Sequence, residues 1–338
     1  MYKNNFNVTS LFCGCGGADL GIVGNFSYLR KRYKKHPMNI VHASDIDIKA
    51  VNTYNNNFKH NAICADVRDI DFHKITSDLV IGGFPCQNFS TVNPLKDPEN
   101  RDHQLFWELA RAVSEIKPIA FIGENVKGFA RLKKGKYLQM AIDAFEELGY
   151  NVKYEILNSS HYGVPQLRER VFLVGIRKDL SVNDEFQFPL PTHGEGLKKI
   201  VPIKRVKIDD DVVGEKYYFS QRAVEGVKKA KNNMKRALAQ DINGPCLTIT
   251  SHLAKVSLNS RDPVLLVDPE NEKYRRFSPR EAARIQSFPE QFEFVGSQGD
   301  AYRQIGNAVP PVVMWHIIEQ LVPILEKAKY NHITNHCT

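Results

Sequence analysis

A rhythm constrains this chain more than any single motif. From residue 7 to about residue 180, apolar runs of strand type alternate with segments of helical character. The stretches "NVTSLFC", "MNIVHASDID", "SDLVIGGFPC", "IAFIGENV", "VKYEILNS" and "RVFLVGIRK" read as strands. Between them, "ADLGIVGNFSYLRKRY", "IKAVNTYNNNF", "HQLFWELARAVSEI" and "YLQMAIDAFEELGY" read as helices. Helical spacing puts Leu105, Leu109, Ala112, Val113 and Ile116 on one face, and Gly149 closes the last helix. This alternation predicts an α/β fold with a parallel sheet and helices on both faces. Such sheets take ligands beyond the carboxyl ends of their strands. The glycine loop "LFCGCGGADLG", "FPCQ" and "ENV" each follow a strand directly, so all three are expected to line one crevice.

After residue 185 the rhythm breaks. Prolines in "FPLPTHG" mark a linker. From Lys198 to Arg236 there are twelve Lys or Arg against five Asp or Glu, with Tyr217, Tyr218 and Phe219 among them. This is either a solvated basic face or a surface for phosphates and bases. The net charge of +8 fits a polyanionic partner without requiring one. A helix is expected in "RFSPREAARIQSFPEQF", capped by Ser278 with Pro279 at its first position. The segment "VPPVVMWHIIEQLVPILEKA" reads as an amphipathic helix that packs back on the sheet. The length of 338 residues suits two domains, or one large domain with an insertion.

The six cysteines (Cys13, Cys15, Cys64, Cys86, Cys246 and Cys337) form no Cys-x-x-Cys pair, and no histidine spacing suggests zinc. Free thiols in a reducing compartment and no metal site are the expectation. No apolar run of about 18 residues is evident, and "MYKNNFNVTSLF" lacks the apolar core of a signal peptide. An intracellular, cytoplasmic protein without a membrane partner is therefore expected.

Several side chains suit chemistry in the crevice. Asp45 ends the second strand, where a carboxylate can accept from both hydroxyls of a ribose. Asp66 can accept from an exocyclic amine, although either acid can instead cap a helix. Cys86 follows Pro85 and precedes polar residues, so it is either a small buried residue or an accessible nucleophile. Glu124 is a candidate proton donor if burial raises its pKa. Strand periodicity aims Gln166, Arg168 and Arg170 to one face. Three polar side chains there are poor core candidates and suit carboxylate, carbonyl or phosphate contacts.

Taken in order, "LFCGCGG", "ASDID", "CADV", "GGFPCQNFS", "GENVKGF", "YGVPQLRERVFLVG", "RFSPREAARIQSFP" and "QIGNAVPP" resemble the DNA (cytosine-5)-methyltransferases. The likeness is to compact prokaryotic members associated with restriction-modification, and it runs from residue 11 to residue 311. It implies a Rossmann-like methyltransferase domain over residues 1–185 and 300–338, and a smaller target-recognition domain over 186–299. It also implies S-adenosyl-L-methionine as cofactor, with S-adenosyl-L-homocysteine as product.

By motif position, Phe12, Gly14, Gly16, Gly17, Asp45, Ile46, Asp66, Val67, Pro85, Leu105 and Asn307 should face that cofactor. Many relatives carry Glu where this chain has Asp45. The resemblance makes Cys86 the nucleophile toward ring carbon six of a flipped cytosine. Glu124 would meet ring nitrogen three, and Arg170 would hold the base carbonyl and Glu124. Gln166 and Arg168 would support the surrounding loop. Ser90, Thr248 and Thr250 are candidate DNA contacts. Double-stranded DNA, a paired restriction endonuclease and a monomeric state are the partner expectations. A tRNA cytosine-5 methyltransferase of the same fold is the alternative, but the "CFT" segment usual in those relatives is absent.

Overall fold

The computed structural model describes residues 4–84, 105–180, 182, 185–229, 239–253 and 263–335. Strand β1 (Phe6–Leu11) leads through the glycine loop into helix α1 (Gly17–Val23). The helix stops at Gly24, and the rest of the expected helical stretch folds into a hairpin, β2 (Phe26–Tyr28) and β3 (Lys31–Tyr33). Phe26 stacks on Tyr33 across it, a cross-strand aromatic pair that favours strands over a continued helix. Strand β4 (Met38–Asp45), helix α2 (Ile48–Asn57), β5 (Ile63–Cys64), β6 (Leu79–Gly82), α3 (Phe106–Ile116), β7 (Ala120–Val126) and α4 (Lys136–Glu147) follow as alternation demands. Then come β8 (Tyr150–Asn158), a two-residue strand β9 (Gln166–Leu167) and β10 (Glu169–Arg177).

Seven strands form one sheet in the order β5-β4-β1-β6-β7-β10-β8. The pairs from β5 to β7 are parallel. The sheet is therefore mainly parallel, as expected, and the exception is β10, which runs antiparallel to both β7 and β8. The connection from β8 to β10 contains no crossover α-helix, and a parallel pair would need one. Both faces of the sheet are covered. In β10, Phe172, Val174 and Ile176 join the core on one side, and Val171 and Leu173 the core on the other. Doubly buried strands of this kind read as continuous apolar runs. Helices α3 and α4 cover the second side, and α1 covers the first with α8 (Pro311–Asn335).

Helices α1 and α8 approach backbone to backbone: a Cβ on Gly21 would lie 2.4 Å from the Pro311 carbonyl oxygen. Helix α8 is buried nearly all round rather than along one stripe. The α7–α8 segment is apolar and long enough by composition to cross a membrane, contrary to the reading of the sequence, yet 72% of its most apolar window is buried in the fold.

A third core gathers residues from Ile203 to Ile305 around Cys15. It holds helix α5 (Gln221–Lys229), strand β11 (Cys246–Leu247), the hairpin β12 (Val264–Asp268) and β13 (Lys273–Arg276), and helices α6 (Pro279–Ile285) and α7 (Gln298–Asn307). Helix α6 starts where the sequence places it: Ser278 caps it, and Glu281 returns the bond in a capping box. Glu281 also pairs with Arg275 at 2.8 Å, both groups fully buried. Asp210 holds the same guanidinium at 2.8 Å. Strand β11 pairs in parallel with β9 in a separate two-stranded sheet, which ties this part to the connection between β8 and β10. The expected boundary between residues 299 and 300 falls inside the first turn of α7.

Candidate active site

The carboxyl ends of β1, β4 and β7 open on one cavity of about 310 Å³. The strand order in the sheet brings its walls together, because β4 and β6 flank β1, and β7 lies beside β6. After β1 the chain turns sharply through Phe12, at φ 54°, and Cys13 donates its backbone N–H to the Ser44 carbonyl at 3.0 Å. Positive φ at a bulky side chain is strained and concentrates at functional sites. At Gly17 a Cβ would lie 2.6 Å from the Val309 carbonyl oxygen, so only glycine lets α1 sit against the segment after α7.

Asp45 reaches into this loop. Its carboxylate accepts from the Gly14 N–H and the Asp47 N–H, both at 2.8 Å. Burial pushes its pKa up, and these backbone bonds act against that. Each oxygen keeps a second lone pair for a ligand hydroxyl. Asp47, not Asp45, caps α2. Asp66 caps the short turn after it, binds Arg68 through Oδ1 at 3.0 Å, and still lines the cavity. That pairing holds its carboxyl below the usual range.

Phe12, Gly14, Gly17, Asp45, Ile46, Asp66, Val67, Leu105 and Asn307 all line the cavity, and so does Glu124. Gly16 does not: a Cβ there would strike the Phe58 ring at 2.3 Å, so its face is turned to packing. Pro85, Cys86 and Ser90 lie outside the described residues.

Glu124, near the end of β7, pairs with Arg170 of β10, with Nε 3.1 Å from Oε1. The antiparallel register sets Glu124 opposite Phe172, and Arg170 lies two residues along on the same face. Burial raises the Glu124 pKa, while Arg170 and then Arg168 pull it back. Beside it, Asn125 donates Nδ2–H to the Phe84 carbonyl at 3.2 Å, which fixes the last described residue before Pro85.

Gln166 and Arg168 correct the surface reading, since both are fully buried. Gln166 accepts from the Ile249 N–H at 2.8 Å and donates to Gln286. Arg168 donates to the Ile249 carbonyl at 3.0 Å. They are bolts between β9 and the segment around Ile249, and alternation cannot reveal them because their partners lie about eighty residues on. Thr248 donates to the Leu167 carbonyl at 2.9 Å, and Thr250 Oγ1 accepts from the His252 N–H at 3.2 Å. Thr248 is thus held beside the end of β9, and Thr250 within its own turn.

The sequence reading missed several residues. Asn125 was visible as a polar residue in an apolar strand, and Arg303 as the residue one turn before Asn307. Arg303 lines the cavity and pairs with Asp300 at 2.9 Å. Ser10 lines it too, with no signal beyond its place in β1.

A family model described as C-5 cytosine-specific DNA methylase matches residues 6–323. Type II methyltransferase M.BsuRI of Bacillus subtilis is 33% identical over 98% of this chain and 84% of its own. Type II methyltransferase M1.ScrFI of Lactococcus lactis subsp. cremoris is 31% identical over 96% of this chain and 80% of its own. Among solved structures, the Dnmt2 methyltransferase of S. pombe superposes with a TM-score of 0.73 at 22% identity, over 94% of this chain and 99% of that one. This last likeness is one of fold.

Proposed function

As the chain belongs to the C-5 cytosine-specific DNA methylase family and is a DNA cytosine-5 methyltransferase of restriction-modification type, we propose that it methylates a cytosine flipped out of duplex DNA through a covalent adduct with Cys86. One observation carries the reading: Glu124 lines the cavity beside the cofactor candidates and is held by Arg170 at 3.1 Å.

The cavity suits S-adenosyl-L-methionine. Asp45 offers acceptors for ribose hydroxyls, Asp66 for the adenine amine, and Phe12, Ile46, Val67 and Leu105 apolar walls. The bound cofactor supplies an electrophilic methyl group.

The protein's own groups supply the rest. The Cys86 thiolate attacks ring carbon six, out of reach inside the stacked duplex, which is why the base must leave it. The electron pair displaced from the carbon five–carbon six bond is drawn toward ring nitrogen three, where the Glu124 acid gives its proton. Arg170 holds the Glu124 carboxyl and the base carbonyl. Carbon five would then take the methyl group as its bond to sulfur breaks, leaving the neutral thioether. Glu124 takes back the proton from ring nitrogen three, a base removes the proton on carbon five, and the returning electron pair restores the carbon five–carbon six double bond and expels the Cys86 thiolate. Arg168 and Gln166 keep this corner rigid through Ile249, and Thr248, Thr250 and Ser90 face DNA. Residues 186–299 act as the target-recognition part, and residues 1–185 with 300–338 as the catalytic part. The setting is cytoplasmic, with a paired endonuclease cutting unmethylated sites.

Purified protein, tritium-labelled cofactor, and equal amounts of duplex DNA and tRNA test the reading. Label recovered as 5-methylcytosine in DNA supports it, and label entering tRNA alone overturns it.

A further inference from the structure

Asp19 is a carboxylate the proposed chemistry does not use. It lies in the first turn of α1 and is fully buried. Its Oδ1 accepts from Ser10 Oγ at 2.7 Å, and its Oδ2 from the Tyr54 hydroxyl at 2.6 Å. The Tyr54 hydroxyl also lies within hydrogen-bond distance of His60 Nε2. Both direct partners are neutral, and no ion pair to Asp19 occurs among the described residues. Buried carboxylates are ordinarily paired, because an isolated buried charge is costly.

The surroundings say where the missing counter-charge belongs. Ser10, Gly17 and Ala18 all line the cavity, so one hydroxyl separates Asp19 from it. Cys13, also in the wall, feels both Asp19 and Asp45, which add to burial in raising its thiol pKa. Burial lifts the Asp19 pKa to about 6, and the two hydroxyls oppose the rise. The group is therefore ionised at pH 8. An acid with a raised folded-state pKa favours folding at low pH, and that favour is lost as pH rises from about 4 to about 6. Above that window the free protein carries a buried charge that weakens it.

Given the reading of the cavity as a cofactor site, we propose that Asp19 is a specificity-determining residue: a fixed negative charge, one hydroxyl from the cavity, that favours the sulfonium cofactor over its neutral thioether product. Both ligands carry the same nucleoside and amino-acid groups. Only the sulfonium charge disappears on transfer, so the buried carboxylate weakens its hold on the product.

Isothermal titration of the full chain at pH 8 with S-adenosyl-L-methionine and S-adenosyl-L-homocysteine tests this. Asp19→Asn should lose about tenfold in affinity for the first and less than about twofold for the second. The ligand-free variant should melt no lower than the parent, since an uncompensated charge has gone. Equal losses for both ligands, or none, would overturn the proposal. If neither ligand binds the parent protein, the cofactor reading itself fails.

If Asp19→Asn does not fold, Tyr54→Phe serves instead. It removes one hydroxyl and raises the Asp19 pKa further. The titratable groups around Asp19 are Tyr54, His60, Cys13, Cys15 and Asp45. The cofactor-to-product preference should fall at pH 7 and recover at pH 9, and a preference unmoved by the substitution at both would overturn the proposal.

Discussion

Arg170 Nε stands 3.1 Å from Glu124 Oε1 across two antiparallel strands, with both side chains largely withdrawn from solvent. Burial raises the Glu124 pKa, and the guanidinium counters it. A donor to ring nitrogen three must be protonated, so activity should fall as pH rises past the Glu124 pKa. Arg170→Ala removes the counterweight. It should move that alkaline limb to higher pH and lower kcat about a hundredfold. Glu124→Gln should cost about 10²–10⁴-fold and abolish the limb. Methyl-transfer rates against pH check both.

Gln166 satisfies the buried Ile249 N–H. Gln166→Ala leaves that donor unpaired, a loss of about 1–3 kcal/mol. Urea unfolding should show the lower midpoint. KM for DNA should rise more than KM for the cofactor, since the loosened segment carries Thr248 and Thr250.

Gly21 lets α1 lie against α8, with no room for a methyl group beside the Pro311 carbonyl. Gly21→Ala should destabilise the fold by about 1–3 kcal/mol through overpacking. Circular dichroism melts should show it, with cofactor affinity little changed in the folded fraction.

Replacing residues 186–275 with the corresponding segment of a relative should change the methylated sequence and leave the chemistry intact. Base readout depends on a few side chains in the groove. Methylation mapping of a host genome reads the outcome, and an unchanged site would place sequence reading elsewhere.

Sequence reading reached what obeys local rules. Alternation located the main strands from β1 to β10, and spacing found the buried Leu109, Ala112 and Val113 of α3. Ser278 and Pro279 marked the start of α6. What escaped depends on distant partners. The β2–β3 hairpin rests on aromatic packing with Trp315 of α8. Gln166 and Arg168 are buried because Ile249 supplies their bonds. Gly16 serves Phe58 packing, although it sits in the motif that forms the cavity. Asp19 looks like any acid in a helical first turn until Ser10 and Tyr54 close over it.

Cys86 carries the central claim, and its covalent bond to the base is the quantity to measure. Duplex DNA bearing the methylated site, with its target deoxycytidine fluorinated at ring carbon five, blocks loss of the final proton and traps the adduct. With S-adenosyl-L-methionine present, the account predicts a protein–DNA complex stable to denaturing detergent, with the modified peptide carrying the nucleotide on Cys86. Cys86→Ala should bind the same DNA and form none. A complex that dissociates in detergent, an adduct on another residue, or methyl transfer retained by Cys86→Ala would contradict the account.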